Sequence, residues 1–153
     1  MPDAASPAAQ RVVDALVKAV RFLPDVRADR VALFGHSRGG GAALNYAMSG
    51  TSTVRAVVLN STGYPDDLAK QVPGISVPIL MLHGTADDPA EGGSAVTSVQ
   101  AAREFEAVMR RAGKPVEARY YQGGGHNSLF TSQSQYEDEV RRMTAFLTRY
   151  LFD

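Results

Sequence analysis

A serine flanked by glycines is the part of this sequence best suited to chemistry. Ser37 lies in Gly35-His36-Ser37-Arg38-Gly39, directly after the apolar run 30–34 and directly before a segment rich in glycine and alanine. A serine on a sharp turn from strand to helix has a strained backbone, and glycines two residues to either side let the strand and the helix approach each other. The context predicts a nucleophilic serine; the alternative is a glycine-rich helix start without chemistry.

Two more side chains complete a set that can activate a serine. Asp87 follows the apolar run 77–82, which predicts a short buried strand. His126 lies in a glycine-rich loop after segment 116–121, in which apolar and polar residues partly alternate as in a strand. A histidine held by a carboxylate removes the proton of a serine hydroxyl during nucleophilic attack. Asp88 remains an alternative to Asp87 as the acid, because a shift of one residue in the turn would exchange which of the two aspartates faces His126.

The three segments together resemble the C-terminal half of an α/β-hydrolase of the dienelactone-hydrolase-like or prolyl-oligopeptidase-like kind. The matching pieces are strand-GHSRGG-helix, strand-HGTADD and strand-GGGHN with a closing helix, and they extend over the chain from Ser6 onward. The order Ser37, Asp87, His126 is that of the α/β-hydrolase triad. The resemblance implies a serine hydrolase that acts through an acyl-enzyme, most often on carboxylic esters.

Two departures from that family bear on activity. The chain has no cysteine, whereas dienelactone hydrolases proper use a cysteine nucleophile, so that particular activity is not expected. The resemblance also implies about four strands before the strand that leads to Ser37, where this sequence offers only one helical segment. A loop among those missing strands would give one of the two oxyanion donors. Of the usual pair, the amide of Arg38 remains. Three groups could replace the missing oxyanion donor: the Arg38 guanidinium, a hydroxyl of Tyr64 or Ser61, or a group from another subunit.

The other histidines and the glycine run have plainer interpretations. His36 is expected to be a packing residue of the turn rather than a second base, and His83 to order the loop that carries Asp87. No histidines or carboxylates have metal-ligand spacing, so no metal or other cofactor is expected. The run 123–125 follows a strand without opening a helix, which disfavours a nucleotide-binding loop.

Length and charge indicate one compact domain, 1–153. The 153 residues carry 16 basic and 16 acidic side chains without a basic cluster, so nucleic acid is not an expected partner. No apolar run reaches the length of a membrane span, and the first residues lack the pattern of a signal peptide. We therefore expect a cytoplasmic protein without a membrane partner.

Apolar periodicity predicts alternating helices and strands. A helix is predicted to begin at Ser6 and Pro7 and to extend to Pro24. Its apolar residues at helical spacing are Val12, Val13, Leu16, Val17, Val20 and Leu23. Strands are predicted over 31–34, 54–59, 77–82 and 116–121, and further helices after Ser37 and over 66–71, 96–112 and 135–151. The fold class is therefore α/β, a truncated α/β-hydrolase fold with a mainly parallel sheet of about four strands and no lid domain.

The strand before Ser37 is expected to lie at an edge of this sheet. In the full family fold it lies in the middle, so here its backbone ladder and apolar flanks are left uncovered. This predicts a homo-oligomer, a dimer in the simplest case, joined through that edge or the neighbouring helix; the alternative is a missing complementary fragment that covers the same surface.

The sequence predicts an esterase that cleaves small carboxylic esters on Ser37, His126 and Asp87. Oligopeptidase-like and polyester or cutinase-like hydrolysis are the alternatives within the same chemistry. A catalytically weak or silent fragment or interaction module is the alternative of a different class.

Overall fold

The chain folds into a parallel sheet with helices on both faces. The computed structural model describes residues 3–152 except 51, 65 and 92, so the ends of the predicted domain 1–153 lie outside the described residues. The strands are β1 (Ala32–His36), β2 (Ala56–Asn60), β3 (Ile79–Gly84) and β4 (Val116–Tyr121). The helices are α1 (Pro7–Val20), α2 (Arg38–Met48), α3 (Leu68–Gln71), α4 (Val99–Arg111), α5 (Ser128–Thr131) and α6 (Gln133–Phe152).

All four strands run parallel, in the order β1-β2-β3-β4. The two central strands, β2 and β3, are buried along their whole length, as expected for strands covered on both faces. The predicted α/β class with a four-stranded sheet is confirmed. Since parallel strands end at one edge of the sheet, the loops that carry Ser37, Asp87 and His126 all leave from the same edge.

The hydrophobic core has one part on each face of the sheet. On one face, α1, α2 and α4 contribute side chains that pack with Val57, Leu59, Ile79 and Met81. On the other face, Phe146 of α6 packs with Ala56, Val58, Leu80 and Leu82. The two sets alternate along β2 and β3, which is the period of two expected of a strand between two layers.

The first helix begins where the sequence predicts but buries little. The side chain of Ser6 accepts a hydrogen bond from the Ala9 amide at 3.2 Å, and the helix ends at Val20, before Pro24. Val17 is buried, whereas the remaining periodic side chains are partly or largely exposed, with Leu16 at 59%. The reason is that α1 packs beside α2, so it presents only one narrow face to the core.

Several element ends differ from the prediction, most clearly at the strands. The first three strands extend beyond their apolar runs to polar residues, because parallel pairing continues through His36 opposite Asn60 and through His83 opposite Tyr120. The predicted helix over 66–71 becomes a single turn followed by a 3-10 turn, and the one over 96–112 begins at Val99 after a 3-10 turn. The predicted strand 116–121 is confirmed.

The β1 strand lies at the sheet edge, as expected, and pairs with β2 alone among the described residues. Phe34 on this strand is 50% exposed. Within the described residues, no helix is both long enough and apolar enough to cross a membrane.

Candidate active site

The turn between β1 and α2 gives Ser37 a backbone that few residues adopt. Ser37 has φ 52° and ψ −120° and precedes the first residue of α2. A positive φ is costly for a residue with a side chain and persists only where neighbouring contacts hold it. Here the Ser37 amide donates to the Asn60 carbonyl at 2.9 Å, and the Ser37 carbonyl accepts from the Gly41 amide at 3.0 Å. This strained turn projects the serine hydroxyl from the carboxyl end of the sheet.

Glycines are needed at this turn, though not at both of the predicted positions. A Cβ at Gly35 would lie 2.5 Å from the carbonyl carbon of Gly39, so the prediction of close approach there is confirmed. At Gly39 a Cβ would meet nothing within 4 Å, and the prediction for that residue is wrong. Gly40 takes the role instead, because a Cβ there would collide with the side chain of Thr62. The helix turns by about 100° per residue, which places Gly40 rather than Gly39 against the loop after β2.

The structure brings the three predicted side chains into one continuous chain of contacts. His126 Nε2 lies 2.8 Å from Ser37 Oγ, and His126 Nδ1 lies 3.0 and 3.1 Å from the two oxygens of Asp87. The His126 side chain is 14% exposed and that of Asp87 is fully buried. A proton on Nδ1 therefore faces the carboxylate and leaves the Nε2 lone pair toward the serine hydroxyl.

Further residues hold the carboxylate of Asp87. The Thr97 hydroxyl donates to Asp87 Oδ1 at 3.3 Å, and His83 Nε2, which donates to the Thr97 carbonyl at 2.8 Å, lies 3.4 Å from Asp87 Oδ2. Burial lowers the pKa of the His83 ring, which favours its neutral form, and the Thr97 carbonyl holds the proton on Nε2. Asp88 Oδ1 instead accepts from the Ala90 amide. The geometry thus places Asp87, and not Asp88, against His126.

Backbone contacts between two loops set the distance from Asp87 to His126. The Ala86 amide donates to the Gly124 carbonyl at 2.9 Å, and the Gly123 amide donates to the Thr85 hydroxyl at 2.8 Å. Gly84 allows this approach, since a Cβ there would collide with the backbone of Gly124. The glycines near His126 therefore serve to join the two loops.

A buried polar cluster beside the serine was not predicted. His36 Nδ1 lies 2.6 Å from Asn60 Oδ1, and the Asn60 amide donates to Glu139 at 2.7 Å. The His36 ring lies 5.1 Å from that of His126, consistent with its predicted packing role. The sequence holds one signal for Glu139: it precedes Met143 by one turn and Phe146 by two, so a charged residue interrupts an apolar helical stripe.

The proposed oxyanion residues lie in different surroundings. Arg38 is the first residue of α2 and is exposed, so its amide lies directly after the serine. Tyr64 is 5% exposed and its ring stacks on Phe105 at 4.9 Å. Its hydroxyl has no partner within the described chain, and burial raises its pKa. Ser61 is buried, with φ 43°. In the described part of the chain neither Tyr64 nor Ser61 forms a hydrogen bond with Ser37, so these roles stay predictions.

Metal-binding clusters are absent from the described part of the chain. No group of three or more histidine, cysteine, aspartate or glutamate side chains there could hold a metal ion.

A four-stranded parallel sheet with a strained serine turn, an acid loop and a histidine loop at one edge defines a truncated α/β-hydrolase fold. The sequence model of the dienelactone hydrolase family matches residues 2–151. The chain therefore belongs to the dienelactone hydrolase family. A search of curated protein sequences gives no match.

Solved structures with the same fold include esterases and peptidases. Porphyromonas gingivalis dipeptidyl peptidase 4 aligns with 20% identity and a TM-score of 0.74, over 94% of this chain and 23% of that one. A dienelactone hydrolase-like promiscuous phosphotriesterase from metagenomic libraries aligns with 18% identity and a TM-score of 0.76, over 93% and 61%. The esterase PE8 aligns with 23% identity and a TM-score of 0.70, over 94% and 61%. The chain thus spans between about a quarter and three fifths of these proteins.

Proposed function

We propose that this chain is a serine hydrolase that cleaves small carboxylic esters through an acyl-enzyme on Ser37. The observation that carries the proposal is the geometry of His126, whose Nε2 lies 2.8 Å from Ser37 Oγ while its Nδ1 lies 3.0 Å from Asp87. These distances are those of a nucleophile within reach of its base and of a base held by a third group. Membership of the dienelactone hydrolase family supports the same chemistry.

The reaction begins when Ser37 Oγ attacks the ester carbonyl carbon. Its proton passes to His126 Nε2, and the carbonyl π electrons move onto the oxygen to form the oxyanion. The buried carboxylate of Asp87 keeps the His126 ring in place and stabilises the imidazolium. When the tetrahedral intermediate collapses, the alcohol leaves with the proton from Nε2. Water then attacks the acyl carbon with His126 as base, releasing the acid and the Ser37 hydroxyl.

The oxyanion is stabilised by the amide of Arg38, the residue after the nucleophile. An N–H at the start of a helix points toward developing negative charge and is reinforced by the helix dipole. Losing one donor of an oxyanion pair typically costs about 3 to 4 kcal/mol of transition-state stabilisation. Activity with one donor is therefore expected to be reduced by hundreds-fold rather than abolished.

Small or flexible acyl groups fit this site better than long lipid chains. The segment between β2 and β3, residues 61–78, holds only α3 and a 3-10 turn in its described part. Such a short connection forms no lid of its own over Ser37. A long apolar chain would gain little burial there.

A silent binding module is the second candidate function. It is favoured by the sheet itself, since no strand precedes β1 in the described part of the chain and the loop expected to provide a second oxyanion donor follows such a strand. In such a module Ser37, His126 and Asp87 keep their contacts but catalyse no ester hydrolysis.

Fluorophosphonate labelling separates the two candidates, because the reagent reacts with an activated serine whatever the natural substrate. We expect one adduct, located on Ser37 by peptide mass spectrometry, and hydrolysis of p-nitrophenyl acetate that is lost in Ser37→Ala. His126→Ala should prevent both reactions. Ser134→Ala, which alters an exposed serine on α6, serves as the matched control and should label normally. Folded protein that takes no adduct would support the silent module and contradict the esterase.

The proposal includes a second copy of this chain as a partner. The free edge of β1 is bordered by an apolar groove of about 320 Å³ between α1, β1 and α2, lined by Val12, Leu16, Leu33 and Phe34 among others. A free strand edge accepts another strand, and an identical strand related by a two-fold axis presents the same ladder in return. Because the net charge of the chain is zero, no net electrostatic repulsion between two copies opposes this pairing.

A further inference from the structure

Asn60, at the end of β2, contacts the nucleophile turn and the last helix at once. Its carbonyl accepts from the Ser37 amide at 2.9 Å, and its side-chain Oδ1 lies 2.6 Å from His36 Nδ1. Its side-chain amide donates to Glu139 Oε2 at 2.7 Å. Asn60 is 1% exposed, so these contacts are shielded from competing water. One residue thus joins the backbone of Ser37, the side chain before it and α6.

Glu139 is a carboxyl group buried without a cation. It is 0% exposed, and its oxygens accept from Asn60 Nδ2 and from Gln135 Nε2, each at 2.7 Å. Among the described residues it forms no ion pair, and burial raises its pKa. Burying a carboxyl group is costly unless its oxygens are hydrogen-bonded. The apolar stripe around it would accept a leucine, so Glu139 is an unusual choice for stability alone.

The direction of these hydrogen bonds fixes a proton on His36. Both Glu139 oxygens accept, one from Gln135 and one from Asn60, so Asn60 presents its Nδ2 to Glu139 and hence its Oδ1 to His36. His36 Nδ1 must then carry a hydrogen to donate to that oxygen. On its other side, His36 Nε2 lies 3.3 Å from Asn127 Oδ1. With Nδ1 protonated, Nε2 can only accept, so this contact is a hydrogen bond when the Asn127 side chain is turned to present its Nδ2. The ring is therefore held by Asn60 at Nδ1.

This ring forms one wall beside the base. Its centroid lies 5.1 Å from that of His126, and the edge of Phe130 meets it at 5.0 Å. Asp87 holds His126 from one end of its ring, and His36 limits its tilt from the side. Misplacing a reacting group by about 1 Å can cost about a hundredfold in rate.

We propose that Glu139 and Asn60 are positioning residues, which hold His36 with its proton on Nδ1 and thereby fix His126 and the Ser37 turn. The proposal rests on the proposed function for its effect on rate, though not for the position of the proton. It places the effect on the chemical step, since neither residue lies where a substrate would bind. The turnover number should therefore change more than the Michaelis constant.

The proton position is tested first, by nitrogen NMR of the histidine rings in ¹⁵N-labelled full chain. The protein has 3 histidines, so single substitutions assign each ring. We expect His36 to carry its proton on Nδ1, and Glu139→Leu to shift this ring toward a mixture of forms. Glu137→Leu, on the exposed face of the same helix, should leave the ring unchanged. An unprotonated Nδ1 in the wild-type protein would overturn the proposal.

The effect on rate is tested with p-nitrophenyl acetate. Glu139→Leu should lower kcat by about tenfold to a hundredfold with KM within about twofold, as expected of a misplaced base. Glu139→Gln should recover most of the loss, because its amide oxygen can still accept from Asn60 while its NH₂ group donates to a Gln135 side chain turned to present its oxygen. Asn60→Leu, which removes both the donor to Glu139 and the acceptor for His36 at similar size, should behave like Glu139→Leu and replaces it if that variant does not fold.

Two kinetic outcomes contradict the positioning role. One is unchanged kcat in folded Glu139→Leu, and the other is an equal loss in Glu139→Gln. If the wild-type protein neither labels nor turns over, the proposed esterase fails, while the NMR measurement still decides the hydrogen-bond chain. Failure of the two proposals is therefore distinguishable.

Discussion

At the scale of single residues, the contacts around Asp87 distinguish it from its neighbour. The carboxylate of Asp87 is buried and lies against the side chains of His126, Thr97 and His83. The carboxylate of Asp88 instead accepts a hydrogen bond from the backbone amide of Ala90. Sequence spacing alone left either aspartate open, since a one-residue shift in a turn exchanges which side chain faces inward. The cross-loop bonds that settle the geometry join residues far apart in the chain.

The two aspartates give a matched pair of substitutions. Asp87→Asn should lower kcat for p-nitrophenyl acetate by about 10³ to 10⁴, because the amide can donate to His126 Nδ1 and favours the wrong tautomer. Asp88→Asn should remain within about threefold of the wild-type protein, since an asparagine oxygen also accepts from the Ala90 amide. Circular dichroism checks that both variants fold. A large loss in Asp88→Asn with an active Asp87→Asn would assign the acid to Asp88 instead.

At the scale of elements, the close approach of α2 to the loop after β2 depends on Gly40. A side chain there would meet Thr62, and the Gly35 carbonyl would lie 2.9 Å from its Cβ. The sequence shows a run of glycines but not which of them faces a neighbour, since that depends on how the helix is rotated against the sheet.

Alanine substitutions at two adjacent glycines test this packing. Gly40→Ala should lower the free energy of unfolding by about 1 to 3 kcal/mol, because an overfilled contact forces the backbone apart. Gly39→Ala meets open space on the same helix and should change stability by less than about 1 kcal/mol, with any gain due to helix propensity. Urea unfolding followed by circular dichroism measures both. Equal effects at the two positions would contradict the packing described here.

At the scale of the whole molecule, the uncovered apolar surface lies on one side of the sheet edge. Val12, Leu16 and Phe34 are each at least half exposed and line the same groove. Exposed apolar patches of this kind mark interaction surfaces or lead to aggregation. The self-association that we propose would cover them and pair the edge of β1.

Light scattering after size-exclusion chromatography tests this association at micromolar concentration. We expect a mass about twice the 16.4 kDa of one chain, and a single-chain mass for Phe34→Lys, since a charge at a strand edge opposes pairing. Val96→Lys, at a residue 52% exposed and outside the groove, is the control and should not change the mass. A monodisperse monomer of the wild-type protein would refute the association.

The sequence by itself determined the α/β class, the four strands and the three loops that carry Ser37, Asp87 and His126. These follow from local signals: apolar runs of strand length, helical periodicity and glycine-rich turns. Local signals also explain the errors, because strand ends such as His36 and Asn60 are polar and are paired only through neighbouring strands.

Only the tertiary structure decided which residues meet. It set Asp87 rather than Asp88 against His126, left most of the apolar face of α1 exposed, and buried Glu139 against Asn60. Each of these depends on the packing of elements that are distant in sequence, and one sequence read locally carries no information on that packing. The residue types thus determine the chemistry of the site, whereas the register of the sheet and the contacts of its loops and of α6 determine its geometry.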